Sequence, residues 1–268
     1  MKKYSYLLFC LIALLTFQGC EKKEHPDNAV IIGTLAGPET ELMKVAKKVA
    51  KLKFGLTVKI IPFEDYIRPN TALLDNTIDA NLFQHLPYLE HFLKQHNEEN
   101  ALTVIGKGFI YPMGLYSKKH KKLSDLKPNA VIGIPVDPSN NSRALLLLQA
   151  AGLLQLSLSN SLYPTLDDIT QNNQHFIIKA VDAALLPRLS EDFDLAAINT
   201  NFAIPSGLQP FADALFLETK DSPYANLLVV RQNDALNPKY QLLLQALHSE
   251  EVLKAAKHLF SDYAVPAW

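Results

Sequence analysis

The run Val30-Ile31-Ile32-Gly33-Thr34 is followed by the turn Gly37-Pro38, after which the apolar positions move to Leu42, Val45, Ala46, Val49 and Leu52. The first pattern predicts a buried strand. The second follows the helical period and predicts an amphipathic helix that Gly55 caps. Leu56 to Ile61 is a second strand, so these segments form a βαβ unit with a parallel sheet. The alternation continues with a short helix from Pro69-Asn70, a strand through Ile78 to Ala80, and extended segments at Ala101 to Ile110 and Met113 to Ser117. Next come a strand from Val131, stopped by Pro135 and Pro138, an Ala/Leu helix that Gly152 ends, and a short helix at Asp167 to Gln171. The remaining expectations are a strand at Phe176 to Val181, a helix near Ala183 to Leu189, strands at Asp194 to Ile198 and Leu227 to Arg231, and two helices around Tyr240 to Leu247 and Glu250 to Phe260. No internal repeat is visible.

Three strand ends gather polar residues where ligands are met in α/β proteins, because the first N–H groups of the next helix are unpaired and its dipole favours an anion. After Val131 to Ile134, Asn140 or Ser139 can cap the helix, and Arg143 falls inside its first turn. Three residues apart, Asn140 and Arg143 can share a face and converge on one small carboxylate. If Asn81 to His85 is extended, Phe83 and His85 point to one side and Leu82 and Gln84 to the other, while Pro87 opens a helix carrying Tyr88. Asn199 stands at the carboxyl end of Asp194 to Ile198, at the start of a helix.

The 268 residues carry a formal net charge of −1, with 48% hydrophobic and 20% charged residues. That balance suits two α/β lobes or one large domain and offers no basic track for nucleic acid. The amino terminus reads as a secretory signal: Lys2 and Lys3 precede an apolar run from Tyr4 to Phe17, too short to span a bilayer, which closes at Gly19-Cys20. Its end resembles the bacterial lipobox, although Phe17 and Gln18 replace the aliphatic and small residues common there. Cys10 leaves with the signal, so Cys20 becomes the one thiol of the exported chain and the acylation site. Residues 1–19 are therefore expected as signal and 20–29 as a hydrated tether. Residues 30–110 with 200–268 are expected as one lobe and 111–199 as the other, with the passages between lobes at Tyr111-Pro112 and Asn199 and the ligand in the interlobe cleft.

Six ordered segments carry a resemblance: ANLFQHLPYL (80–89), YPMGLYSKK (111–119), IPVDPSNNSRALLLLQ (134–149), LLPR (185–188), AAINTNFA (196–203) and SPYANLLV (222–229). Over Val30 to Trp268 the chain is similar to the methionine-binding lipoproteins of bacterial ABC importers, the MetQ/NlpA type. The resemblance implies a periplasmic-binding-protein-like α/β fold of two lobes, a lipid-anchored position in the cell envelope facing the periplasm, and delivery of free methionine to ABC permease and ATPase subunits. It implies no catalysis, cofactor or metal. It also implies that Arg143 with Asn140 binds the ligand carboxylate, that Asn199 and Asn226 engage its α-amino and carboxylate groups, and that His85 adds a polar contact. Tyr66, Phe83 and Tyr88 would line the side-chain pocket, where a thioether gains about 0.3–1.5 kcal/mol per ring contact. Leu82, Ser139 and Ser142 depart from the pattern, which bears on side-chain preference.

Other readings are an apolar amino acid or methionine-containing dipeptide as ligand, a passive surface lipoprotein, a metal-binding protein and an exported hydrolase. The hydrolase lacks G-x-S-x-G, H-E-x-x-H and a second mature Cys. For a metal, His85 and His96 lie about three turns apart on one helix at ~1.5 Å per residue, and His91 points elsewhere.

Overall fold

The opening βαβ unit forms in the computed structural model, which describes residues 28–157, 163–219, 222–260 and 263–268. The expected signal and Cys20 lie outside the described residues. Strand β1 (Ala29–Leu35), helix α1 (Pro38–Phe54) and strand β2 (Thr57–Phe63) come first, with β1 and β2 parallel. Gly37 enters α1 at φ 131°, and a Cβ there would sit 3.2 Å from the Asn201 carbonyl, so only glycine allows this helix start to approach the Asn201 backbone. At the other end Gly55 adopts the left-handed conformation and donates its N–H to the Lys51 carbonyl.

The first lobe continues through α2 (Arg68–Leu74), β3 (Ala80–His85), α3 (Leu86–His96) and β4 (Leu102–Ile110). The chain then enters the second lobe with β5 (Gly114–Tyr116), β6 (Val131–Pro135), α4 (Pro138–Ala150), β7 (Gln155–Leu156), β8 (Ile169–Gln171), β9 (Ile177–Val181) and β10 (Leu195–Ile198). Two single-turn helices, α5 (Thr200–Ala203) and α6 (Pro210–Asp213), lead to β11 (Ala214–Leu217). The first lobe is completed by β12 (Ala225–Arg231), α7 (Pro238–Leu247), α8 (Glu250–Phe260) and β13 (Val265–Pro266). The first sheet has the order β13-β4-β12-β3-β1-β2, and the second β11-β5-β10-β6-β9. Strand β3 is parallel to β1, and β12 is antiparallel to both β3 and β4. Strand β6 is parallel to β9 and β10, and β5 is antiparallel to β10.

Apolar alternation in the strands feeds both faces of the first sheet. Val30 and Ile32 join the core built with α1, α7 and α8, whereas Ile31 joins the one built with α2 and α3. Leu228 and Val230 divide from Leu227 and Val229 in the same way. Burial on both faces is why these strands read as continuous apolar runs, each full burial of such a side chain contributing about 1.5–3 kcal/mol.

Three expectations are corrected. Strand β11 pairs antiparallel with β5, so residues 200–217 stay with the second sheet and the chain returns between β11 and β12 rather than at Asn199. The four residues of β11 are too few to show a period. The helix expected at Asp167 to Gln171 is a 3-10 turn at Leu166–Asp168 followed by β8, because the Asp168 carboxylate caps the Thr165 amide and hydroxyl. The helix expected near Ala183 to Leu189 is a series of turns ending in a 3-10 segment at Arg188–Glu191. Pro187 has no N–H and disfavours helical geometry at the residue before it.

Candidate ligand-binding site

The carboxyl ends of β1, β3, β6 and β10 and the start of β12 meet between the lobes. They surround a cavity lined by Tyr66, Phe83, His85, Tyr88, Asn140, Arg143, Asn199 and Asn226, together with Gln84, Tyr111, Thr200 and Asn201. All eight ligand-binding residues expected from the sequence are thus brought to one space. Leu82 is not among them. It is 2% exposed and packs in the core against α1, α7 and α8, on the opposite face of β3 from Phe83.

One end of the cavity is aromatic. The Phe83 ring lies 6.1 Å from that of Tyr66 and 5.8 Å, edge-on, from that of Tyr88. Tyr66 sits in the bend after β2, fixed by the Tyr88 hydroxyl, which donates to its carbonyl at 2.8 Å, and by the Phe202 ring at 4.8 Å. Burial raises the Tyr66 and Tyr88 phenols above their ordinary range, so both stay neutral.

The other end is polar. Helix α4 is capped by Asp137, which accepts the Asn140 amide at 3.0 Å, and not by Asn140 or Ser139. The Asn140 side chain is thereby free to face the cleft: its Nδ2 donates to Asp137, and its Oδ1 accepts from Asn199 Nδ2 at 2.8 Å. His85 caps α3 by accepting the Tyr88 amide at Nδ1, which leaves the proton on Nε2, 3.4 Å from the same Asn140 oxygen. Burial, followed by the Arg143 charge, pushes the His85 imidazole down to about 3, so it is neutral near pH 7. His96 closes the far end of α3 and stacks on Phe92 at 4.2 Å, remote from the role of His85. Among the described residues, no three His, Cys, Asp or Glu side chains gather to hold a metal.

Arg143 is not the free cation the sequence suggested. It is 4% exposed, its Nε and Nη2 contact Glu218 at 3.0 and 2.5 Å, and Nη2 also donates to the Tyr111 carbonyl. Its Cζ lies 4.4 Å from the Tyr224 ring centroid. Burial alone would lower its affinity for a proton, but the Glu218 carboxylate outweighs this and holds the guanidinium charged. Nη1 has no protein hydrogen bond among the described residues.

Glu218 carried no sequence signal, because β11 was not legible, and Tyr224 entered only as part of the segment at 222–229, with no role assigned to it. Glu39 did carry one. It follows Gly37-Pro38 at the carboxyl end of β1, the kind of position that singled out Asn140 and Asn199. It is 1% exposed, its Oε1 accepts Nδ2 of both Asn201 (3.0 Å) and Asn226, and burial pushes its carboxyl up to about 8. The Thr200 hydroxyl, donating to the Pro112 carbonyl, ties α5 to the first passage between the lobes.

The family model described as NlpA lipoprotein matches residues 30–268, nearly the whole described body. This chain belongs to that family. It is 42% identical over 260 residues to the D-methionine-binding lipoprotein MetQ of Salmonella typhi, covering 96% of this chain and 95% of that one. A periplasmic substrate-binding protein of an ABC transporter from Coxiella burnetii superposes with a TM-score of 0.85 at 52% identity, covering 89% of this chain and 100% of the other. A nutrient-binding protein from Burkholderia cenocepacia, solved bound to methionine, gives 0.86 at 44% identity, with 89% and 100% covered. These solved binding proteins thus share the fold seen here over 89% of the chain, and the Salmonella relative is named as a binding lipoprotein.

Proposed function

We propose that this protein is the substrate-binding lipoprotein of an ABC importer, that it holds free methionine unchanged in the interlobe cavity, and that it delivers methionine to permease and ATPase subunits. The observation that carries this reading is the meeting, around one cavity, of the Arg143 guanidinium, a set of asparagine carboxamides and the rings of Tyr66, Phe83 and Tyr88. A free amino acid with an unbranched thioether matches that division. Its carboxylate would reach Arg143 and Asn140, its ammonium the carboxamides of Asn199 and Asn226, and its sulfur the ring edges. His85, neutral and donating from Nε2, would add a polar contact. The methionine named for relatives and present in the Burkholderia structure supports the same ligand. Acylation of Cys20 would tether the chain to a membrane of the envelope, facing the periplasm.

The test is a thermal-shift scan of the twenty amino acids on protein unfolded and refolded to strip bound ligand, with the best one followed by NMR for a day. A ligand of the folded state adds about 2.7 kcal/mol at a hundredfold excess over Kd. At roughly 2–4 °C per kcal/mol the midpoint should rise on the order of 5–10 °C. Methionine ranking first with an unchanged spectrum is expected. A bulkier apolar amino acid or a methionine dipeptide ranking higher replaces the ligand, and new product peaks would make the protein an enzyme.

A further inference from the structure

Two buried carboxamides are oriented by one carboxylate. Glu39 Oε1 takes Nδ2 of Asn201 and Nδ2 of Asn226, which turns the carbonyl oxygen of each away from Glu39, and both side chains line the cavity. Asn201 Oδ1 is buried without a hydrogen-bond partner, as is Asn199 Oδ1, whose Nδ2 is held by Asn140. This wall therefore offers acceptors whose carboxamides are each fixed by one committed N–H, and the second Glu39 oxygen is itself buried and unpartnered. Such a socket fits a group with several N–H donors and a positive charge.

We propose that Glu39, acting through the carboxamides of Asn201 and Asn226, is the counter-charge that selects the ligand's ammonium. The inference rests on the amino-acid-binding reading and deepens it. Among the described residues no cation faces Glu39: the titratable groups that feel its charge are the Tyr66 and Tyr111 phenols, both held neutral by burial, and Glu41 on the same helix pairs with exposed Lys44. Across the cavity stand the Arg143–Glu218 pair and the neutral His85 imidazole. Burial also raises the Asp137 carboxyl, but that group lies behind Asn140 and is held by its amide and side chain, whereas Glu39 is the carboxyl bonded to the Asn201 and Asn226 socket and changes charge as pH rises through about 8. An arriving ammonium favours the carboxylate, so binding expels the proton that Glu39 holds when its carboxyl sits at about 8.

The test is titration calorimetry of methionine into the full-length, detergent-solubilised protein at pH 6 to 8.5, in two buffers of different ionisation enthalpy. About one proton should be released per methionine at pH 7, and the affinity should tighten up to about tenfold per pH unit before levelling above pH 8. Glu39→Gln, which keeps an acceptor but no charge, should weaken binding at pH 8 at least tenfold and abolish the pH dependence. It should also shrink by a similar factor the preference for methionine over its des-amino analogue 4-(methylsulfanyl)butanoate, a change that a merely structural role would not produce. Tight methionine binding to the unmutated protein without proton release overturns the role of Glu39 and leaves the methionine reading standing, and this arm does not depend on the variant folding. No methionine binding at any pH overturns both.

Discussion

Arg143 and Glu218 share two parallel contacts, Nε to Oε1 at 3.0 Å and Nη2 to Oε2 at 2.5 Å, with side chains only 4% and 13% exposed. Glu218 Oε2 also accepts the Met113 amide, and Arg143 Nη2 donates to the Tyr111 carbonyl. The pair therefore ties α4 to both passages between the lobes. A ligand carboxylate would meet a guanidinium already half satisfied and approach it through Nη1.

Arg143→Ala should weaken methionine binding at least thirtyfold, since removing one partner of a buried charge contact costs about 2–5 kcal/mol. It should also lower stability by roughly 3–5 kcal/mol, because Glu218 is left buried and unpaired. Adding Glu218→Gln should restore part of the stability and none of the affinity. Calorimetry and thermal denaturation of both variants check this, and a loss of affinity below threefold would assign the carboxylate to another residue.

If a bulkier apolar amino acid ranks above methionine, the departure at Leu82 makes Leu82→Tyr the change expected from the sequence to pull the preference back toward methionine. The fold changes that expectation, because Leu82 abuts Gly108, where even a Cβ would come within 3.1 Å of its Cδ1. A tyrosine there overpacks the core, at a cost of about 1–3 kcal/mol, and leaves the cavity wall untouched. A lower melting midpoint with unchanged methionine affinity is the expected pair of results.

The legible part of the site is the part that short-range rules reach. Asn140 and Asn199 stand at strand ends, and Phe83, His85 and Tyr88 share a side through strand alternation and a helix start at Leu86-Pro87. The illegible part is set by pairing between distant segments. Glu218 meets Arg143 only because β11 adds to the edge of the second sheet against β5. Asp137 displaced Asn140 as the cap of α4, a choice between neighbouring polar residues that the pattern leaves open. Glu39 was readable by the strand-end rule, but its importance lies in two asparagines more than 160 positions away, Asn201 and Asn226.

Cys20→Ser should release the protein from membranes, since acyl chains supply attachment at ~0.8 kcal/mol per buried CH₂. Fractionation and intact mass of the mature chain check this. An unchanged membrane fraction and an unchanged lipid mass would place the anchor elsewhere.

Two buried groups should shape the stability of the ligand-free protein against pH from opposite sides. His85 titrates at about 3 when folded, below its ordinary 6.5, so its contribution is present above pH 6.5 and lost as pH falls toward 3. Glu39 is raised from 4.5 to about 8, so its contribution is complete below pH 4.5 and lost as pH rises through 8. Where those windows overlap, from about pH 4.5 to 6.5, the two slopes oppose each other, each on the order of 1.4 kcal/mol per pH unit. Wild type minus His85→Gln, measured by thermal denaturation across pH 3 to 9, should therefore isolate a loss on the acid side. Wild type minus Glu39→Gln should isolate a loss that runs from about pH 4.5 to 8. Saturating methionine, by favouring the Glu39 carboxylate, should flatten the alkaline loss and leave the acid one. An alkaline difference that persists unchanged with methionine bound would mean that the ligand's ammonium does not reach the Asn201 and Asn226 socket.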